Sequence, residues 1–236
     1  MNILAFTTST DFGSAAVARD GKLLAQVKWQ RNLKSQNIKQ NTKQNTKNNA
    51  LILKINQLLK KAKLKPQELQ GLVVDKGPGS FTGCRVAANV AKTFAYTLDI
   101  PVMALSSLEI IARGIVAKDH GPNTLCVLDA HKSLVYAQWF EFNGEQPAPR
   151  SPLAAKALSE LLPAIQSGTR IYGLSPQPFA KAFEEKEAIV IAAYPKAATM
   201  ALLREFSFQT WKDIEPSYIR APEAYEKLAV ERLPTK

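Results

Sequence analysis

Two hydrophobic periods take turns along this chain, and the change from one to the other marks out its elements. Ile3, Leu4, Ala5 and Phe6 form an unbroken apolar run, which predicts a buried strand over Asn2 to Thr8. Gly13 to Ala18 and Lys22 to Trp29 read as two further strands, joined at Asp20-Gly21, a tight-hairpin signal. Leu51, Ile55, Leu58, Leu59 and Ala62 then recur at helical spacing, predicting an amphipathic helix from Asn49 to Lys63 that Pro66 stops. Leu72 to Asp75 is a strand, Val86 to Leu98 an alanine-rich helical segment, and Pro101 to Ala104 another strand. Ser106 to Glu109 opens a helix with a capping serine.

The second half begins the same way. Thr124 to Ala130 is an apolar strand, and Leu134 to Phe142 returns beside it before Asn143-Gly144. With Asp129 set opposite Thr7, the two hairpins match to within one residue at the distal turn. Helical segments at Lys156 to Ile165 and Ala197 to Phe206 alternate with strands at Arg170 to Leu174 and Ile189 to Ala193. Two tandem ββαβα-type units predict a duplicated α/β fold. The division falls near residues 104 to 122, giving an N-terminal lobe over 1–105 and a C-terminal lobe with its tail over 106–236.

At 236 residues and 46% hydrophobic content, the chain can bury a substantial core. It lacks the eighteen-residue apolar run of a membrane span, and its first residues lack the basic start of a secretory signal. Cys84 and Cys126 give neither a disulfide framework nor a ligand cluster, which predicts buried thiols and a cytoplasmic setting. The net charge of +11 is concentrated: Gly21 to Gln67 holds twelve Lys or Arg and no Asp or Glu, and the rest sums to −1. Within it, Lys39 to Asn49 carries KQNT twice, which reads as an exposed loop. Its lysines could neutralise phosphate, but it has no aromatic ring for stacking on bases, so a solvated loop is the preferred reading.

Asp75-Lys76-Gly77-Pro78-Gly79-Ser80-Phe81-Thr82-Gly83-Cys84-Arg85 carries the candidate chemistry. Strand, glycine turn and helix follow one another here, an order that can cradle an anion or let a second backbone pack closely. Ser80 or Thr82 is placed to cap the helix. Arg85 reads first as a local ion pair to Asp75 or Glu109, and second as a contact to a nucleotide or carboxylate. Ala87, Ala91 and Ala95, spaced by four with Ala88 beside them, suit either the chain's own sheet or a partner helix. His120 and His131, eleven apart, read as polar surface residues and not as metal ligands. No Ser/His/Asp or Cys/His set can be assembled, so no catalytic residue and no metal site are assigned.

Five stations in order bring in a resemblance: Thr7-Thr8-Ser9-Thr10, Gly77 to Gly83, Ser106 to Glu109, Asp129-Ala130 with Val135-Tyr136-Ala137, and Pro216 to Ala224. Together the chain resembles the TsaB (YeaZ) family of bacterial tRNA threonylcarbamoyladenosine modification. The resemblance implies a two-lobed actin/sugar-kinase/Hsp70-like fold. It also implies a non-catalytic subunit that binds and activates TsaD, which modifies adenosine 37 of tRNA, with the ATPase TsaE joining where the two meet. A homodimer is expected when TsaD is absent, and tRNA is met only indirectly. Partner contact is expected through the helices carrying Leu51, Ile55, Leu58, Leu59, Ala87, Ala91 and Ala95. The loop of Gly77, Pro78, Gly79, Ser80, Thr82, Gly83 and Arg85 would lie at the junction, where ATP or ADP would bind only inside the complex.

Two departures accompany the resemblance. Lys47-Asn48-Asn49 replaces the family's His-Ser-Glu-type stretch, and Thr7 stands where related nucleotide-binding folds place a carboxylate. The alternative is an independent small-molecule kinase of the same fold. A glycoprotease-like reading finds neither nucleophile nor metal ligands.

Overall fold

In the computed structural model, which describes residues 1–30, 46–119, 121, 123–174 and 177–220, the apolar runs assemble into two β-sheets. The first contains β1 (Asn2–Thr7), β2 (Phe12–Arg19), β3 (Lys22–Gln30), β4 (Gly71–Asp75) and β5 (Val102–Leu105), in the order β3-β2-β1-β4-β5. The second contains β6 (Thr124–Asp129), β7 (Leu134–Asn143), β8 (Gln146–Pro149), β10 (Arg170–Leu174) and β11 (Ile189–Ala192), in the order β11-β10-β6-β7-β8. A short β9 (Ala154–Ala157) also pairs with β7.

The sheets share one plan. The first strand of each pairs antiparallel with the next on one side and parallel with a later strand on the other. Thr7 faces Ser14 across the first hairpin and Asp129 faces Val135 across the second, so the second is one residue shorter, as the sequence predicts. This duplication is the two-lobed actin/sugar-kinase/Hsp70-like architecture. Asp20 and Gly21 both take positive φ, 48° and 73°, as a tight two-residue turn requires.

Helices α1 (Thr46–Lys61) and α2 (Phe81–Leu98) cover one face of the first sheet, where Ile55, Leu58, Ala87 and Ala91 join Leu4, Phe6, Leu72 and Val74. α3 (Ser107–Arg113) lies between the lobes, with Ile110 in the first core and Leu108 and Ile111 in the second. α4 (Leu158–Leu161) and α5 (Gln177–Glu184) cover the second sheet through Leu161, Phe179 and Phe183. Helix α6 (Ala197–Ala201) packs on the other face of the first sheet, where Met200 meets Ile3, Ala5 and Met103. Gln209 continues that return by bridging to Val102, and Ile214 is buried in the α1/α2 cluster. Residues 197–214 thus sit on the first sheet, although the sequence division groups them with 106–236.

Several boundaries differ from expectation for local reasons. α2 starts at Phe81 and not Val86, because the glycine turn feeds directly into a helix capped by Ser80. The segment expected as one helix over 156–165 is the end of β9, a single α-turn and a 3-10 turn holding Pro163, whose missing N–H blocks propagation. α6 stops at Ala201, so 202–206 is not helical. β8, β9 and α5 are too short to show a clear period. The KQNT repeat up to Asn45, His120 and Pro222-Glu223-Ala224 lie outside the described residues. Cys84 and Cys126 are buried free thiols, and burial pushes the Cys126 thiol up. Among the described residues no helix is long and apolar enough to cross a membrane.

Ile55 is fully buried at the centre of the α1 contact. Ile55→Ala is expected to destabilise the chain by about 2–5 kcal/mol, read by urea unfolding.

Candidate functional site

The parallel strands β1, β4 and β5 end side by side, so the residues that follow each of them converge at one edge of the sheet. β4 ends on Asp75, which is fully buried. Thr7 Oγ1 donates to Asp75 Oδ2 at 2.6 Å and Ser9 Oγ to the same oxygen at 2.5 Å. Ser107 Oγ, at 2.7 Å, and the Gly77 N–H, at 2.9 Å, donate to Oδ1. Burial pushes the Asp75 carboxyl up, while the donors Ser9, Thr7, Ser107 and Gly77 pull it back. Two further bonds close the ring: the Ser107 N–H donates to the Gly77 carbonyl at 2.8 Å, and Thr8 Oγ1 to the Gly83 carbonyl at 2.6 Å.

The glycine turn packs into this cluster. Gly77 has φ +97°, and a Cβ there would lie 2.8 Å from Cys84 Sγ. At Gly79 a Cβ would overlap the Ser9 carbonyl oxygen, which also accepts the Ser80 N–H at 2.6 Å. Ser80 is the cap, its Oγ accepting the Gly83 N–H at 3.3 Å, while Thr82 is exposed outside the cap. The N–H groups of Gly77, Ser80, Gly83 and Cys84 all donate to acceptors of this chain. Of the two uses open to such a turn, close packing of a second backbone is the one the geometry displays. Pro78 is buried beside it.

Arg85 makes neither expected ion pair. Asp75 is enclosed by its hydroxyl donors, and Glu109 pairs with Arg113 at 2.8 Å. Arg85 instead lies 4.5 Å over the Phe81 ring and donates from Nε to Tyr218 Oη at 3.1 Å. Tyr218 also meets Phe81 at a tilt of 39°, with ring centroids 5.2 Å apart. Around it, the Ser217 N–H donates to the Lys76 carbonyl at 2.7 Å, and Arg220 donates to the carbonyls of Ala130 and His131. Residues 217–220 therefore run from the glycine turn to the hairpin of the second lobe. Sequence reasoning used Tyr218 and Arg220 only as markers of a motif. The two-residue spacing of these large polar side chains, which puts both on one side of an extended segment, was the available signal.

The structure places inside the chain the seven residues expected to meet a partner. Leu51, Ile55, Leu58, Leu59, Ala87, Ala91 and Ala95 are all buried in the chain's own core. A stripe found by apolar periodicity is the one that a helix turns toward its own sheet. Outside that stripe α1 exposes Ile52 and Leu53, at 41% and 58%, and α2 exposes Tyr96, at 70%. Tyr96 meets Trp211 edge-on with centroids 5.3 Å apart.

In the second lobe, Asp129 occupies the strand-end position that Thr7 holds in the first. Its Oδ1 accepts the His131 N–H at 2.7 Å, and Oδ2 lies 3.4 Å from His131 Nδ1. Among the described residues no group of three His, Cys, Asp or Glu is placed to hold a metal ion.

Comparison with known proteins gives three findings. The family model of TsaD, tRNA N6-adenosine threonylcarbamoyltransferase, matches residues 41–170. The Bacillus subtilis tRNA threonylcarbamoyladenosine biosynthesis protein TsaB is 31% identical over 189 residues, covering 73% of this chain and 79% of that protein. Its Escherichia coli namesake is 26% identical over 146 residues, covering 62% and 57%. A Pseudomonas aeruginosa crystal structure, of a protein described as similar to the peptidase YeaZ, superposes with a TM-score of 0.74 at 20% identity. That superposition covers 93% of this chain and 99% of that one.

Two outcomes test the cluster. Gly79→Ala is expected to cost about 1–3 kcal/mol, because the Ser9 backbone must shift to admit a methyl group. For Asp75, a folded-state value above the ordinary 3.8 means that the unfolded chain releases this proton first as pH rises. Stability tied to this group is therefore full below about pH 3.8 and falls as pH climbs toward the folded value. Urea unfolding from pH 4 to 8 (about the range where carboxyls and raised carboxyls titrate) should show wild type losing ground to Asp75→Asn. A pH-independent difference between the two would contradict this.

Proposed function

This chain belongs to the TsaB family of tRNA threonylcarbamoyladenosine biosynthesis proteins, and on that premise we propose that it is a non-catalytic subunit that binds and activates TsaD. TsaD then carries the transfer to adenosine 37 of tRNA, and TsaE joins where the two subunits meet. The observation that supports this most is how the glycine turn is used. The N–H groups of Gly77, Ser80, Gly83 and Cys84 and the Asp75 carboxyl are engaged within the chain, and the turn packs against the Ser9 backbone.

The same geometry fits a resident nucleotide poorly. A bound cation would need an accessible carboxylate near Thr7, and the one there, Asp75, is buried and already accepts from Thr7, Ser9, Ser107 and Gly77. We therefore place any ATP or ADP at the junction with TsaD, beside Arg85, which is exposed in the first turns of α2. A kinase working alone would require the opposite arrangement.

The partner face we assign to the outward side of α1 and α2, where Ile52, Leu53 and Tyr96 are exposed. Large apolar side chains of this kind gain most when a partner covers them. A homodimer through the same face is the expected state when TsaD is absent.

Size-exclusion chromatography with light scattering, followed by the tRNA modification assay, checks this. Wild type is expected to form a heterodimer with TsaD and to be required for modification. Leu53→Glu combined with Tyr96→Ala should weaken the complex by about tenfold or more, the effect of losing interface anchors. Absence of any complex, with ATP hydrolysis by the lone chain, would overturn the reading in favour of the kinase.

A further inference from the structure

Among the described residues, part of the positive charge collects at the end of the first sheet away from the glycine turn. Asn2, the first residue of β1, gathers it. Arg19 Nε donates to Asn2 Oδ1 at 2.8 Å, Asn2 Nδ2 to the Glu68 carbonyl at 2.8 Å, and the Asn2 N–H to Gln70 Oε1 at 2.9 Å. The β2–β3 turn is thereby tied to the segment that follows α1. Lys22 faces Arg19 across the hairpin. Lys60 and Lys61 close α1, and Lys63 and Lys65 follow at once. All six side chains are exposed.

The acidic groups on this rim already have other partners. Asp20 pairs with the Met1 ammonium, and Glu68 Oε2 accepts the Lys65 N–H at 2.7 Å. No ion pair between these six cations and a carboxylate occurs among the described residues. Stabilisation of the α1 C-terminus by its dipole accounts for Lys60 and Lys61 only. Arg19, Lys22, Lys63 and Lys65 sit beyond the helix; Arg19 is tied to Asn2, and the group of like charges stands exposed at one end of the sheet.

We propose that this rim docks the phosphate backbone of tRNA. The inference rests on the tRNA-modification reading above and adds a direct contact where the resemblance implied only an indirect one. The chemistry is that of a polyanion with regularly spaced charges, since six cations lie along one edge. The rim residues offer amine and guanidinium donors without an aromatic ring, so they would hold the backbone without reading bases. The rim also lies at the C-terminal end of α1, the helix assigned above to TsaD.

The test is fluorescence anisotropy of a labelled, unmodified tRNA transcript with the full chain alone, between about 50 and 200 mM salt. Wild type is expected to bind with a slope of log K against log salt of about −4 to −5. The variant Lys60→Gln/Lys61→Gln/Lys63→Gln/Lys65→Gln should lose about 3 of that slope and at least about tenfold in affinity at the lower salt. A charge-matched control in other parts of the chain, Lys118→Gln/Lys156→Gln/Lys181→Gln/Lys186→Gln, should stay within about threefold of wild type. Circular dichroism confirms that both variants fold.

Three results would overturn the proposal: no salt-dependent binding by wild type, equal losses in both variants, or a rim variant that keeps its tRNA affinity but loses TsaD. The last would make the rim a protein interface. Because affinity is read on the lone chain, the rim can fail while the heterodimer and its modification activity stand.

Discussion

A buried carboxylate that must be satisfied from within fixes the centre of this molecule. Asp75 has no access to solvent, and an unpaired charge there would be strongly destabilising. Its four donors come from three places in the sequence: Thr7 and Ser9 after β1, Gly77 in the glycine turn, and Ser107 at the start of α3. Satisfying one side chain therefore locks two strand ends, the turn and the inter-lobe helix into a single arrangement. The glycines are needed because the turn must then lie on the Ser9 backbone, where a side chain has no room. The small residues and the hydroxyls are two halves of the same constraint.

Much of the first lobe was legible because its elements are long and strongly periodic. The continuous run Ile3 to Phe6, the turn at Asp20-Gly21 and the stripe Leu51, Ile55, Leu58, Leu59 each admit one physical solution. The duplicated plan was legible too, since a strand-hairpin unit leaves the same mark twice. The second lobe was harder: β9, α4 and the turn at Pro163 change conformation every four residues, faster than any period can show. The return of Ala197 to Ile214 onto the first sheet depends on long-range packing that no local pattern encodes.

The candidate site was legible in its location but not in its wiring. Gly77 to Gly83 announced a turn with little room, yet both an anion and a backbone could have filled it. What decides is the Ser9 carbonyl, seventy residues away in the chain. Asp75 was visible as the last residue of a strand, but its partners Thr7 and Ser107 meet it only because β1, β4 and β5 are parallel. The apolar stripes misled for a plain reason: a pattern strong enough to be read from sequence is strong enough to be buried by the chain itself. The outward residues Ile52, Leu53 and Tyr96 break the pattern, and they are exposed.

The Asp75 cluster holds the glycine turn in place, and residues 217–220 further join the two lobes across it. The most direct test of this account is calorimetric titration of the lone chain with Mg·ATP. It expects no saturable heat up to about 1 mM nucleotide, the upper end of ordinary substrate affinities. Saturable binding by the isolated chain, abolished by Thr7→Val or Arg85→Ala, would show that the turn is an open phosphate site and contradict the account.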